Sequence, residues 1–170
     1  MTDEAPTVDP MAPVLDAEQL ALLAGFGERR RVEAGEILYR EGDANYDFYV
    51  VLSGRVEIVG NYDDEEEVLA VHDAGRFLGE LNLLTGQRVY LTARVTDPGE
   101  VIAIPVAELR RIIATIPALS DMILGAFVAR RTSLLEGAAR SIRVIGSSAY
   151  DCSLSLSLPH SRAGCQGAAK

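Results

Sequence analysis

The 170-residue chain is 48% hydrophobic, enough to bury the core of one domain with flanking segments. Sixteen basic residues against 25 acidic ones leave a net charge of −9, which argues against a nucleic-acid or anionic-membrane surface. No apolar run approaches the ~18 residues a membrane span needs, and the acidic start MTDEAPTVDP is no secretory signal.

The two cysteines, Cys152 and Cys165, both lie in the terminal tail and form no metal or redox spacing, so a reducing, cytoplasmic setting is expected. Residues 1–13 hold three prolines and three acids and read as a disordered leader. Residues 14–137 then read as one folded domain. Leu15-Asp16-Ala17-Glu18-Gln19 opens a helix, with Asp16 as cap and Gln19 at the reciprocal capping-box position. Leu20, Leu22 and Leu23 supply its apolar face, and Gly25 and Gly27 end it. Arg29-Arg30-Arg31 reads as a solvated strand edge or loop, with a charge patch for a partner domain as the alternative.

From Val32 to Ile104 short apolar runs at even spacing alternate with glycine and acidic turns, the pattern of a β-domain. Ser53-Gly54 is expected to turn the strand Phe48–Leu52 back into Arg55–Val59, where Val56 and Ile58 alternate with Arg55 and Glu57. Asn61 to Glu67 forms a solvated acidic hairpin tip. Consecutive acids on a strand point to different sides, so these do not converge on a metal. Val68, Leu69 and Val71 make the return strand, and Asp97-Pro98-Gly99 reads as another turn before Val101–Ile104. Many short strands with such turns predict a closed, jelly-roll-like β-barrel. Past Pro105 the period becomes helical. Leu109, Ile112 and Ile113 mark one helix up to Thr115, and Pro117 starts a second through Leu119, Ile123, Ala126 and Phe127 to about Gly137.

Between the last strands lies RFLGELNLLTGQRVYLTAR, Arg76 to Arg94. Gly79-Glu80-Leu81 leads into Leu83-Leu84, Thr85-Gly86 breaks the run, and Val89 to Ala93 reads as a strand. A glycine, an acid and a very short helix between strands make a small concave site. Amides at a helix start hold an anion, and a carboxylate beside them accepts from sugar hydroxyls.

This stretch resembles the phosphate-binding cassette of cyclic nucleotide-binding domains, the module of the catabolite activator protein and protein kinase A regulatory subunits. Gly35-Glu36-Ile37-Leu38, Glu41-Gly42-Asp43, Phe48-Tyr49-Val50-Val51-Leu52 and Ser53-Gly54-Arg55-Val56 precede it in the family's order, so the resemblance runs over roughly residues 15–137. It implies a mainly β fold with flanking helices: a jelly-roll-like barrel, one N-terminal helix and two C-terminal ones. It also implies a regulatory, ligand-sensing role, with cAMP or cGMP as ligand and no other cofactor. Gly79, Glu80, Leu81, Asn82, Arg88, Val89 and Tyr90 become the expected ligand-binding set. Glu80 takes the ribose hydroxyl, the amides of Gly79–Leu83 help receive the phosphate, and Leu81 and Val71 wall the base. Without the resemblance, Glu80 reads only as a first-turn acid that suits the helix dipole.

One position departs from the family. Three residues beyond the cassette glycine, where members carry arginine followed by Ala or Ser, this chain has Val89 followed by Tyr90. Leaving a buried charge without its partner costs about 3–5 kcal/mol, roughly a hundredfold to several thousandfold in affinity. Arg88 faces the other way if Val89 faces the pocket, unless a one-residue bulge follows Gly86; Tyr90 filling the phosphate space is the other alternative.

The phrase GELNLLTGQRVYLTARV is also similar to bacterial flavoprotein reductases of the thioredoxin-reductase type, some of which carry such a domain at their N-terminus. Residues 138–147 read as a stray strand of a next domain, and 148–170 as a disordered Ser-Leu tail. No GxGxxG or CxxC occurs, so the expectation is a truncated gene product detached from a flavoprotein reductase partner. His72 and His160 are isolated, and no catalytic constellation or metal site is present, so the chain is not expected to be an enzyme. The apolar stripe of the helix over 117–137 permits docking on the barrel, a lid, or a homodimer seam. A docking module without ligand is the alternative function. A degenerate transcription regulator is a third, which the acidity and the mere 33 residues after Gly137 oppose.

Overall fold

A computed structural model describes residues 9–62 and 65–154, with side chains for residues 9–61 and 65–136. Its contacts divide into a compact unit ending at Arg131 and a second beginning at Thr132. The first unit contains six antiparallel strands: β1 (Glu28–Val32), β2 (Ile37–Tyr39), β3 (Phe48–Tyr62), β4 (Glu65–His72), β5 (Phe77–Leu78) and β6 (Thr92–Ile104). They run in the order β1-β6-β3-β4, with β2 also paired to β6 and β5 to β3. The helices are α1 (Ala17–Ala24), the short α2 (Glu80–Thr85), α3 (Val106–Thr115) and α4 (Pro117–Leu154), which runs on into the second unit. The architecture is thus jelly-roll-like, mainly β, with flanking helices.

The period-2 alternation of the long strands divides the core into two faces. Phe48 and Val50 of β3, with Ile102 and Ile104 of β6, pack against Leu23, Leu109, Ile112, Leu119 and Ile123 of the helices. Tyr49 and Val51 point the other way, into an inner set with Leu38, Leu78, Val89, Ala93, Val95 and Val101. α1 carries the expected capping box, with the Asp16 carboxylate accepting from the Gln19 amide at 2.8 Å and Gln19 returning the bond to Asp16 N–H at 2.9 Å. Pro105 and Pro117 mark the starts of α3 and α4. The arginine triplet lies in β1: Arg30 pairs with Glu36 and Arg31 with Glu100, as a solvated strand should.

Two expected turns are not turns. Ser53-Gly54 lies inside the 15-residue β3, and Asp97-Pro98-Gly99 inside the 13-residue β6. The two segments face each other across the β3–β6 ladder, where the register shifts between Val51 and Val56. Paired irregularities let two long strands bend together without breaking. Gly54 makes this possible, since its φ is +85° and a Cβ there would stand 2.6 Å from the Asp97 carbonyl oxygen. A local alphabet of Gly, Pro and Asp is the same for a turn and for a bulge; only the partner strand decides.

Residues 138–147, expected as a stray strand, continue the helical backbone of α4. Gly137 and Gly146 weaken a helix by only about 1 kcal/mol each, and the intervening residues hold no proline. Of the expected disordered leader, residues 1–8 lie outside the described residues, whereas 9–13 follow a defined path with Pro13 buried. Of the expected tail, 148–154 are helical and 155–170 lie outside the described residues. Among the described residues no single helix is long and apolar enough to cross a membrane.

Gly54→Ala should destabilise the protein by about 2–4 kcal/mol in denaturant unfolding, because strained φ and a backbone clash add. Gly86→Ala, with φ +69° and nothing within 4 Å of the added Cβ, should cost about 1 kcal/mol. Equal losses at the two positions would contradict the bulge account.

Candidate functional site

The cassette is held by its neighbours before any ligand is considered. Gly79 precedes α2 at φ +100°, a left-handed conformation that favours glycine, and a Cβ there would stand 3.1–3.5 Å from the Asp47–Phe48 backbone and the Tyr46 ring. After α2, Gly86 turns the chain at φ +69°. The segment beyond it pairs with the β2–β3 loop: Gly42 N–H donates to the Val89 carbonyl at 2.6 Å, and Val89 N–H to the Asp43 carbonyl at 3.0 Å. Asn82 closes the loop from inside, its side-chain amide donating to the Arg88 carbonyl at 3.1 Å.

The expected residues do not form one cluster. Glu80 is 1% exposed and turns towards α4, where Arg130 Nη1 donates to its Oε1 at 2.6 Å. The same guanidinium donates to the carbonyls of Phe77 at 3.3 Å and Met11 at 2.8 Å, and its carbon stands 5.1 Å from the centre of the Phe77 ring. Burial pushes the Glu80 carboxyl above the usual range, against the pull of Arg130. Among the described residues Glu80 Oε2, Arg130 Nη2 and His72 Nδ1 are buried with no hydrogen-bond partner. Arg130 was legible in the sequence only as part of the helix after Pro117; nothing there linked it to Glu80.

Val89 is 4% exposed and packs in the inner apolar set with Leu38, Tyr39, Leu78 and Leu91. The strand expected from Val89 starts only at Thr92, and residues 87–90 have no regular secondary structure; within them Arg88 is exposed and donates to the Gly42 carbonyl at 2.9 Å. Arg94 is engaged by Glu66 at 2.8 Å and Glu57 at 3.5 Å. Both arginines are thus engaged by partners of their own. Tyr90 is 40% exposed, and Val71, named as a base wall, is 38% exposed on β4; Leu81 is half-buried.

A residue that the sequence reading missed stands at the cassette instead. The Tyr46 hydroxyl donates to the Gly79 carbonyl at 3.1 Å. Its phenol is shifted up, first by burial and then by the charge of Glu80, while the nearby backbone amides of Leu83 and Asn82 pull the other way. A neutral hydroxyl therefore lies against the amides of α2. The ring rests 4.7 Å from that of Tyr39. Asn45-Tyr46-Asp47 has no periodicity or motif, so no sequence signal marked it. Tyr46 also forms part of a cleft of about 610 Å³ between the Asp43–Asp47 loop, the cassette from Asn82 to Gln87, and the start of α3 at Val106 and Arg110. Glu80 and Val89 do not line it. Among the described residues no group of three or more His, Cys, Asp or Glu is placed to hold a metal.

The order of strands, the short cassette helix between β5 and β6 and the following pair of helices agree with one family, whose pattern, the cyclic nucleotide-binding domain, matches residues 29–116. The chain belongs to the cyclic nucleotide-binding domain family. Lysophospholipase NTE1 of Cryptococcus neoformans is 31% identical over 78 residues, which make up 46% of this chain and 5% of that enzyme. The catabolite activator protein of Thermus thermophilus superposes with a TM-score of 0.60 at 22% identity, covering 81% of this chain and 63% of that one. The c-di-GMP responsive global regulator CLP of Xanthomonas campestris gives a TM-score of 0.60 at 25% identity, covering 76% of this chain and 65% of that one. The chain thus spans a small fraction of the lysophospholipase and less than two thirds of either regulator. The glycine and the acid of the cassette are present as Gly79 and Glu80.

His72, at the end of β4, is buried, and its imidazole is held down to about 3 by burial, then by Arg130 and Arg76, with Asp73 opposing. It stays neutral in the folded protein, whereas the unfolded chain takes up a proton below about 6.5. Its contribution is therefore complete above pH 6.5 and is lost as pH falls towards 3, roughly 4–5 kcal/mol in all. Glu80, shifted upward, acts in the opposite sense: its protonation favours the folded state as pH falls. The difference in unfolding free energy between wild type and His72→Leu should change over that window and be flat above it. A constant difference from pH 7 to pH 4 would show that His72 does not titrate between the two states.

Proposed function

We propose that the chain is a regulatory domain of the cyclic nucleotide-binding family whose cassette is shut to charged phosphate. The carrying observation is Val89, buried among apolar side chains where the cyclic phosphate needs a cation, with Arg88 and Arg94 held elsewhere. Tyr46 supports the same reading, since its hydroxyl rests against the amides that would face the phosphate. A charged ligand would have to enter an apolar interior with no positive partner, a loss of about 3–5 kcal/mol. That CLP is described as c-di-GMP responsive is in keeping with a fold whose ligand differs between relatives.

Calorimetric titration with cAMP and cGMP tests this. The unaltered chain should bind roughly a hundredfold or more weaker than the Val89→Arg, Tyr46→Phe double variant, in which a cation enters and the tyrosine hydroxyl leaves. Micromolar binding by the unaltered chain overturns the reading whatever the variant does.

Two features bear on partners. Leu124 and Val128 of α4 are 39% and 60% exposed, four residues apart on one helix face, which fits a homodimer seam. Sedimentation analysis should show a dimer that Leu124→Glu with Val128→Glu converts to monomer; identical sedimentation of the two proteins would remove this seam. The similarity of GELNLLTGQRVYLTARV to flavoprotein reductases supports a reductase as the domain's effector. A reductase reading frame directly downstream in the DNA is the expected finding, and unrelated sequence there the contrary one.

A further inference from the structure

The cleft between the Asp43–Asp47 loop, the cassette and the start of α3 has a volume of about 610 Å³, the size of a small-molecule site. Glu80 and Val89 do not line it, so what it holds is independent of the shut cassette. We infer that this cleft binds a free basic α-amino acid, with its carboxylate held by Arg110 at the start of α3 and its two cationic groups by Asp43, Asp47 and Asn82. The charges on its wall come from different elements, Arg110 from α3 and the two aspartates from the loop between β2 and β3. Arg110 and Asp47 have no hydrogen-bond or ion-pair partner among the described residues, so they do not pair with each other across the cleft. Asp43 spends one oxygen, Oδ2, on the Arg40 amide at 2.8 Å and keeps the other open.

One end of the cleft suits an anion. α3 starts at Val106 after Pro105, and no side chain caps it. Its first amides have no partner within the helix and bring the positive end of the helix dipole to the cleft, where Pro105 and Val106 form part of the wall. Arg110 stands one turn further on the same helix face as Val106. Glu108, the acid of that first turn, pairs with Arg111 at 3.2 Å and does not line the cleft. The other residues suit cations. Asn82 is 3% exposed and lines the cleft; its Nδ2 donates to the Arg88 carbonyl, while its Oδ1 accepts from no group among the described residues. With Asp43 and Asp47 it offers acceptors only, the complement of ammonium or guanidinium donors. Two carboxylates against one guanidinium leave the wall one negative charge in excess. The matching small molecule therefore carries one carboxylate and two cations, the charge pattern of a basic amino acid. A diamine lacks the anion, and a neutral amino acid lacks the second cation. Leu83 and Val106 offer aliphatic surface to its methylene stem.

The test is calorimetric titration of the full chain with L-lysine and L-arginine and with analogues that each lack one charge. Norleucine and norvaline lack the side-chain cation, cadaverine and agmatine the carboxylate, and the Nα-acetyl forms the α-ammonium. At least one of the two amino acids should bind at roughly 100 μM or tighter, and each of its analogues about tenfold or more weaker. Arg110→Gln should weaken the amino acid about tenfold while leaving its decarboxylated analogue unchanged. Arg110 is exposed and unpartnered among the described residues, so an unchanged melting temperature is expected of the variant. The analogue series uses unaltered protein and does not depend on the variant folding. No binding of either amino acid overturns the inference. Equal binding of any analogue overturns the charge match, equal binding of the Nα-acetyl form pointing to a peptide end instead. Unchanged binding by Arg110→Gln overturns the placement at α3.

Discussion

The fold of the cassette depends on one buried ion pair. Glu80 is placed at the first position of α2 by Gly79, and its carboxylate pairs with Arg130, 50 positions further along the chain. Removing either member would leave the other charged and buried, a loss of about 3–5 kcal/mol. The arginine also ties the pair to the carbonyls of Phe77 at the end of the sheet and of Met11 before α1. Leader, cassette and α4 thus meet on one guanidinium. This accounts for why Asp9–Pro13, rich in proline and acid, nevertheless takes a defined path: Leu15 N–H also donates to the Gly75 carbonyl at 2.7 Å, and Leu15 sits in the helix-side core.

Membership of a family settles the fold and leaves the ligand open. The matched stretch, residues 29–116, contains the cassette but ends before Arg130. In the irregular segment before β6, Val89 is buried and Arg88 is exposed, held on the Gly42 carbonyl. The inner set around Val89 is then apolar enough to be stable, and Tyr46 satisfies the Gly79 carbonyl with a neutral hydroxyl. The segment around Val89 is thus well packed in its own right.

Local signals were the ones legible in the sequence. The capping box of Asp16 and Gln19, the helix starts at Pro105 and Pro117 and the arginine triplet on a solvated strand are all decided within a few residues, while the centre of the acidic hairpin tip, Asp63-Asp64, lies outside the described residues. Gly54 and Gly99 were visible as special positions, but whether they turn or bend the chain depends on β3 and β6 lying side by side. Residues 138–147 carry β-branched and small residues that suit a strand by composition, and the preceding helix overrides that preference. In the site, Gly79 and Glu80 followed from the motif; Val89 is buried and Arg88 exposed although neither lies in the strand that alternation presupposed. Tyr46 and Arg130 were not legible, because they reach the cassette across 33 and 50 positions and neither sits in a pattern that announces it.

The most direct test of the central claim is a crystal structure of the chain grown at saturating cAMP. The account predicts that Tyr46 Oη remains on the Gly79 carbonyl, that Glu80 stays on Arg130, and that no phosphate lies within hydrogen-bond distance of the α2 amides. Phosphate density between those amides and Val89, with Tyr46 swung away, would contradict it.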